Sequence, residues 1–243
     1  MVTRKDFLKK LFQSFLSIPI VALENTKAES SVFAGETYTI KPAIKDKKFY
    51  IGKETIDESL FLIRFRLYKD TYEVYIPSSE YWKYKRRDHY PDSISDYTNY
   101  VTYYNNVIKE IASSLTKKCS SKEESAQRLS DFVQKLVKYN DTLEDYVKFP
   151  IETLVERNGD CEDTAILAGT LMKSIGIDVA LIELKKHIAL GVNGNFGGYP
   201  ITDKINGKKY FYTETSTSTS HLWRIGEIPE KRKSEKKELY VVR

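Results

Sequence analysis

Apolar positions change spacing twice along this chain, and each spacing predicts its own kind of element. Residues 49–51, 60–68 and 71–76 are short runs rich in β-branched, aromatic and aliphatic side chains, and Lys69-Asp70 separates the last two as a hairpin turn would. Arg64 and Arg66 alternate with Phe65 and Leu67, the pattern of a sheet with one wet face. The spacing then becomes three and four. Val101, Tyr104, Ile108, Ile111 and Leu115 predict one helix. A second starts behind the capping pattern Ser121-Lys122-Glu123-Glu124 and buries Ala126, Leu129, Phe132, Val133, Leu136 and Val137. A loop with Pro150 leads through Thr153-Leu154-Val155-Glu156 and the turn Arg157-Asn158-Gly159 to an apolar helix over 164–175, which Gly176 ends. Strands are predicted at 179–184, 187–192 and 209–215, and the glycine-rich connection 193–198 reads as mobile. Hairpin, helices and then a β-rich half make an α+β protein, with helices packed on an antiparallel sheet behind a small β-hairpin region.

At 243 residues with 41% hydrophobic content, the chain can build a full core. Its formal charge of +5 sits at the ends: +3 over residues 1–28, +3 over 230–243, and −1 for everything between. A nucleic-acid binder carries its charge on the folded body, so this distribution argues against one. It fits a targeting segment and a solvated C-terminal tail. Thr3-Arg4-Lys5-Asp6-Phe7-Leu8-Lys9 resembles a twin-arginine signal with lysine for the second arginine, and residues 11–23 are mostly apolar over the length of a signal core. Export is the expectation, with a packed N-terminal helix and a cytoplasmic protein as the alternative. No other run is long and apolar enough to span a membrane. Residues 80–98 interleave Tyr81, Trp82, Tyr84 and Tyr90 with Lys83, Lys85, Arg86 and Arg87. They read as an irregular segment whose rings pack on the domain while the cations reach water.

Candidate chemistry centres on Cys161. It precedes the apolar helix, where unpaired N–H groups and the helix dipole favour a thiolate. His187 stands on a strand pattern whose period of two groups it with Ala189 and Gly191, small residues suited to lining a cleft. Glu214 shares a strand face with Tyr210 and Tyr212 and can orient an imidazole. Nucleophile, base and orienter thus follow in order. His221, in a Ser/Thr-rich stretch, is a rival base, and His89 is a weaker one. Cys119 follows two lysines but lacks an evident partner; a disulfide to Cys161 would consume the nucleophile. Three histidines without paired Cys/His spacing give no zinc site.

Phe149-Pro150-Ile151-Glu152-Thr153-Leu154-Val155-Glu156 followed by Gly159-Asp160-Cys161-Glu162-Asp163-Thr164-Ala165 resembles the nucleophile region of the transglutaminase-like superfamily, in its prokaryotic cysteine-proteinase branch. His187-Ile188-Ala189-Leu190-Gly191-Val192 resembles the histidine strand. Tyr212-Thr213-Glu214-Thr215, with Trp223-Arg224-Ile225-Gly226-Glu227-Ile228-Pro229, resembles the acidic strand and its sequel. The likeness spans roughly residues 100–230. It implies a papain-like core with a Cys–His–Asp triad, here with Glu214 where aspartate is usual, and proteolysis of a protein or peptide substrate. Transglutaminase cross-linking and a non-catalytic surface-binding module are the alternatives. The resemblance also places Asp160 and Glu162 where some members bind calcium; capping of the helix start by acids is the favoured reading, and no cofactor is expected. The organisation expected is an export signal or helix over 1–28, a β-rich extension over 29–98 and the catalytic domain over 99–243.

Overall fold

The computed structural model describes side chains over residues 60–140, 146–216 and 221–243, and backbone strands before them at Ser31–Phe33, Glu36–Tyr38, Ile40–Pro42, Phe49–Ile51 and Glu54–Ile56. The segment read as an export signal lies outside the described residues. The chain divides into two compact units, Met1–Ile40 and Lys41–Arg243. In the first, Ser31–Phe33 pairs antiparallel with Glu36–Tyr38. The second carries the candidate site, and its early strands Phe49–Ile51 and Glu54–Ile56 pair with each other.

The expected hairpin forms from β1 (Leu60–Leu67) and β2 (Asp70–Pro77), paired from Leu60↔Pro77 to Leu67↔Asp70. Arg64 and Arg66 are exposed while Ile63, Phe65 and Leu67 are buried, so the alternation in sequence is the wet and dry face of the strand. The aromatic-basic run that follows is not irregular. It forms helix α1 (Ser78–Lys85) and a 3-10 turn at Ile94–Tyr100. Tyr84 is buried, and the Arg87 guanidinium lies over both the Tyr84 and Phe149 rings. Tertiary packing of these rings, rather than an apolar periodicity, makes the helix. The cations cover the rings as expected.

Helix α2 (Asn106–Thr116) starts later than the spacing from Val101 suggested, because Asn105 caps it by accepting from the Ile108 N–H at 3.2 Å. Helix α3 (Lys122–Leu136) begins where the sequence placed it, with Ser121 Oγ accepting from Glu124 N–H. The short strand β3 (Lys138–Tyr139) follows. Helix α4 (Pro150–Glu156) starts on a proline, whose missing N–H costs nothing at a first turn. It ends at Arg157 in the left-handed region, and strand β4 (Asn158–Gly159) pairs parallel with β3. Helix α5 (Cys161–Ser174) then runs to Gly176, whose φ of 81° makes it the left-handed stop that the sequence predicted.

The main sheet has strands β5 (Val179–Leu184), β6 (His187–Asn193), β7 (Pro200–Thr202), β8 (Lys209–Thr213) and β9 (Glu238–Val241). Their order is β7-β8-β6-β5-β9, all antiparallel. Helix α5 packs on one face, close enough that a Cβ on Gly169 would lie 3.0 Å from Leu190 Cδ1. On the other face Ile182, Leu184, Ala189 and Tyr212 form a buried cluster joined by Tyr199, Ile201, Ile228 and Leu239. Two expectations change here. The C-terminal segment is no solvated tail: β9 pairs with β5 from Ala180↔Val241 to Glu183↔Glu238, and Val242 is buried. The connection 193–198, read as mobile, is tied down. Asn195 N–H donates to Glu123 Oε1, and Tyr199 N–H donates to Gly226 O. Gly198 serves a close crossing of backbones, since a Cβ there would lie 2.2 Å from Gly226 O.

Candidate active site

Cys161 is the first residue of α5 and only 9% exposed. The turn that delivers it is pinned from several sides. Asp160 caps the helix through the Asp163 N–H, and Asp163 Oδ1 accepts from Lys148 N–H at 2.7 Å. The Lys148 ammonium, itself buried, donates to Asn158 O at 2.9 Å and to Asn158 Oδ1, and pairs with Glu156 at 2.9 Å. Gly159 must be glycine-small because a Cβ there would meet Asp163 Cβ at 2.7 Å.

The sheet opens where the sulfur sits. β6 and β8 pair from Asn193↔Tyr210 only as far as Leu190↔Thr213. Beyond that point Ile188 N–H donates to Cys161 Sγ at 3.4 Å. On the departing strand, Glu214 Oε2 accepts from His187 Nε2 at 3.0 Å. A carboxylate only accepts, so Nε2 is the ring nitrogen that donates to Glu214. Burial pushes the Glu214 carboxyl up, but His187 and the Ser216 and Tyr212 hydroxyls outweigh this and hold it below the usual glutamate range.

The structure therefore brings His187 and Glu214 into direct contact and sets Cys161 against the backbone of the residue after His187. The sulfur's side-chain partner is not the imidazole: Sγ donates to Glu162 Oε2 at 3.1 Å. Burial raises the thiol pKa, and the Glu162 carboxylate raises it further, against the Ile188 N–H. The expected thiolate is thus overturned for this conformation, because the helix start that favours an anion is buried among acids. The same crowding acts on the neighbours. Burial, then Asp163 and Glu162, push the Asp160 carboxyl up to about 9, and burial pushes Asp163 up to about 7. The small residues beside His187 also play another part than expected. Ala189 packs in the cluster with Tyr212, and a Cβ on Gly191 would lie 3.0 Å from Tyr210 Cβ, so they make room for neighbouring tyrosines rather than for a cleft.

The rival bases stand elsewhere. His221 is exposed, 3.6 Å from Glu227 and edge-on to Trp223. His89 is buried, with Nδ1 2.8 Å from Val147 O and its ring stacked on Tyr146. Cys119 and Cys161 are both free thiols. Sequence reasoning missed Glu162, Lys148, Tyr212 and Ser216 as partners of the site. Tyr212 and Ser216 were findable, since they flank Glu214 at the period-two spacing that puts side chains on one strand face.

A cysteine opens a helix that packs on an antiparallel sheet, and a buried His–carboxylate pair stands at the end of that sheet, in a mixed α+β architecture. Residues 109–193, from within α2 through β6, match the family model of the transglutaminase-like superfamily. A crystal structure of a "putative protease" from Parabacteroides distasonis ATCC 8503 aligns over 65% of this chain and 41% of its own, at 14% identity and a TM-score of 0.37. Legionella pneumophila LapG (EGTA-treated) aligns over 62% of this chain and 86% of its own, at 15% identity and a TM-score of 0.36. The chain thus spans 41% of the length of the first. No curated protein matches it. Among the described residues, no helix is long and apolar enough to cross a membrane.

Proposed function

We propose that this protein performs cysteine-dependent acyl transfer on peptide or side-chain amide bonds, with water as acceptor, through Cys161, His187 and Glu214. The observation that carries the reading is the 3.0 Å His187–Glu214 contact at the point where β6 and β8 part and Ile188 N–H meets the sulfur. Glu214 fixes the imidazole with Nε2 protonated, so Nδ1 is the basic nitrogen. The resting thiol donates to Glu162; its rotation toward Nδ1 in the substrate complex starts the reaction.

Sγ then attacks the amide carbonyl as its proton passes to Nδ1. The Cys161 backbone N–H, at the start of α5, supports the developing oxyanion. The C–N bond breaks and the leaving amine takes the proton from His187, leaving a thioester. Water, deprotonated by His187, attacks the thioester carbonyl. The thiolate leaves, recovers the proton from the imidazole and frees the carboxylic acid. No step needs a cofactor. Calcium fits poorly beside Cys161: Asp160 Oδ1 is engaged as the helix cap and Glu162 Oε2 by the thiol, far short of six free oxygen ligands. Export, proposed from the N-terminal run alone, puts the substrate outside the cytoplasm.

The test is a set of three variants, Cys161→Ala, His187→Ala and Glu214→Gln, assayed on unfolded protein substrates and by iodoacetamide labelling followed by mass spectrometry. Cleavage vanishes in the first, and labelling of Cys161 slows in the other two. Cleavage unchanged by Cys161→Ala, or labelling unmoved by His187→Ala, overturns the mechanism.

A further inference from the structure

We propose that Tyr212 and Ser216 are positioning residues that grip Glu214 from both sides, and that Thr215 ties this strand end to the helix of the nucleophile. The inference rests on the reading of Cys161, His187 and Glu214 as one site. Each carboxylate oxygen of Glu214 has its own donors. Oε2 accepts from His187 Nε2 and from Tyr212 Oη, both at 3.0 Å. Oε1 accepts from Ser216 Oγ at 2.9 Å and from Ser216 N–H at 3.4 Å.

The two hydroxyls lie two residues before and two after Glu214, so an extended chain brings them to the same face. The residue between them points the other way. Thr215 Oγ1 is 3.1 Å from Thr164 Oγ1, which lies one turn into α5 and itself donates to the carbonyls of Asp160 and Cys161. Burial and the Glu214 charge raise the Tyr212 pKa, so its hydroxyl stays a donor. A glutamate carries one more rotatable bond than an aspartate, and an unrestrained one would hold the imidazole loosely. The clamp removes that freedom, which is how a longer acid can orient His187.

The readout is the rate of Cys161 alkylation by iodoacetamide, resolved from Cys119 by mass spectrometry, with its pH profile. Tyr212→Phe and Ser216→Ala each slow labelling about tenfold, the effect of one lost hydrogen bond to a charged group, and move the profile to higher pH. In a Glu214→Ala background neither has any further effect, because both act through the missing carboxylate. Glu214→Asp is no faster than the Tyr212→Phe/Ser216→Ala double variant, since the shorter acid cannot span all its donors. Equal slowing in both backgrounds, or no slowing in the parent, overturns the proposal while leaving the triad intact. A Glu214→Ala variant as reactive as the parent sinks the triad itself. Ser216 is only half-buried, so Ser216→Ala keeps the test available should Tyr212→Phe fold poorly.

Discussion

Lys148→Met isolates the ion pair that holds the turn before the nucleophile. Methionine keeps the length of the side chain and removes its charge. The Lys148 side chain is 2% exposed and its ammonium serves three oxygens: Asn158 O, Asn158 Oδ1 and Glu156 Oε2. Removing one member of a buried pair costs about 3–5 kcal/mol, because the other is left uncompensated. Here Glu156 keeps Lys85 at 2.8 Å and the Tyr81 hydroxyl at 2.9 Å, and is 21% exposed, so the low end applies. At about 3 kcal/mol, and roughly 2–4 °C per kcal/mol for a domain of this size, the melting temperature falls by about 6–12 °C. Circular dichroism melts of parent and variant measure it. A Lys148→Met/Glu156→Gln pair recovers part of the loss, since the uncompensated charge is then gone. A melting temperature within about 2 °C of the parent refutes the assignment of Lys148 as the anchor of this turn.

Asp160→Asn tests the crowded acids. The Asp160 carboxyl, at about 9 in the folded protein, holds a proton that the unfolded chain releases near its ordinary value of 3.8. Its contribution is therefore complete below that ordinary value and is lost as pH climbs toward 9. Asparagine still caps the helix, so the variant melts like the parent near pH 4 and above it at pH 8–9; parallel melting curves across that range contradict the argument. Gly226→Ala puts a Cβ 1.8 Å from Gly197 O at a φ of 96° and leaves little soluble protein, whereas Gly207→Ala, at a φ of 71° with nothing near its Cβ, costs about 1 kcal/mol. Soluble yield and melting compare the two. Gln134→Ala removes the amide that receives Trp223 N–H and donates to Trp223 O, losing about 2 kcal/mol and shifting the tryptophan fluorescence; an unchanged spectrum and melt would show that the clamp is idle.

Much of this chain is decided within a few residues. Ser121 caps α3, Gly176 stops α5 in the left-handed region, and the arginines of β1 mark its wet face; these follow from local sterics, capping and periodicity, which the sequence displays directly. The order of Cys161, His187 and Glu214 was also legible, as was the strand face that Glu214 shares with Tyr212. Contacts between distant residues decided the rest. Tyr84 becomes helical because its ring finds Phe149, and the charged C-terminus becomes β9 because β5 offers it an open edge. The early end of the β6–β8 ladder, with β8 parting from β6 beyond Thr213, admits the sulfur and lets Glu214 reach His187. Only that fold buries Cys161 beside Glu162 and makes its resting form a thiol. Desolvation and long-range hydrogen bonds depend on which atoms exclude water around a group, and no local stretch of sequence states that.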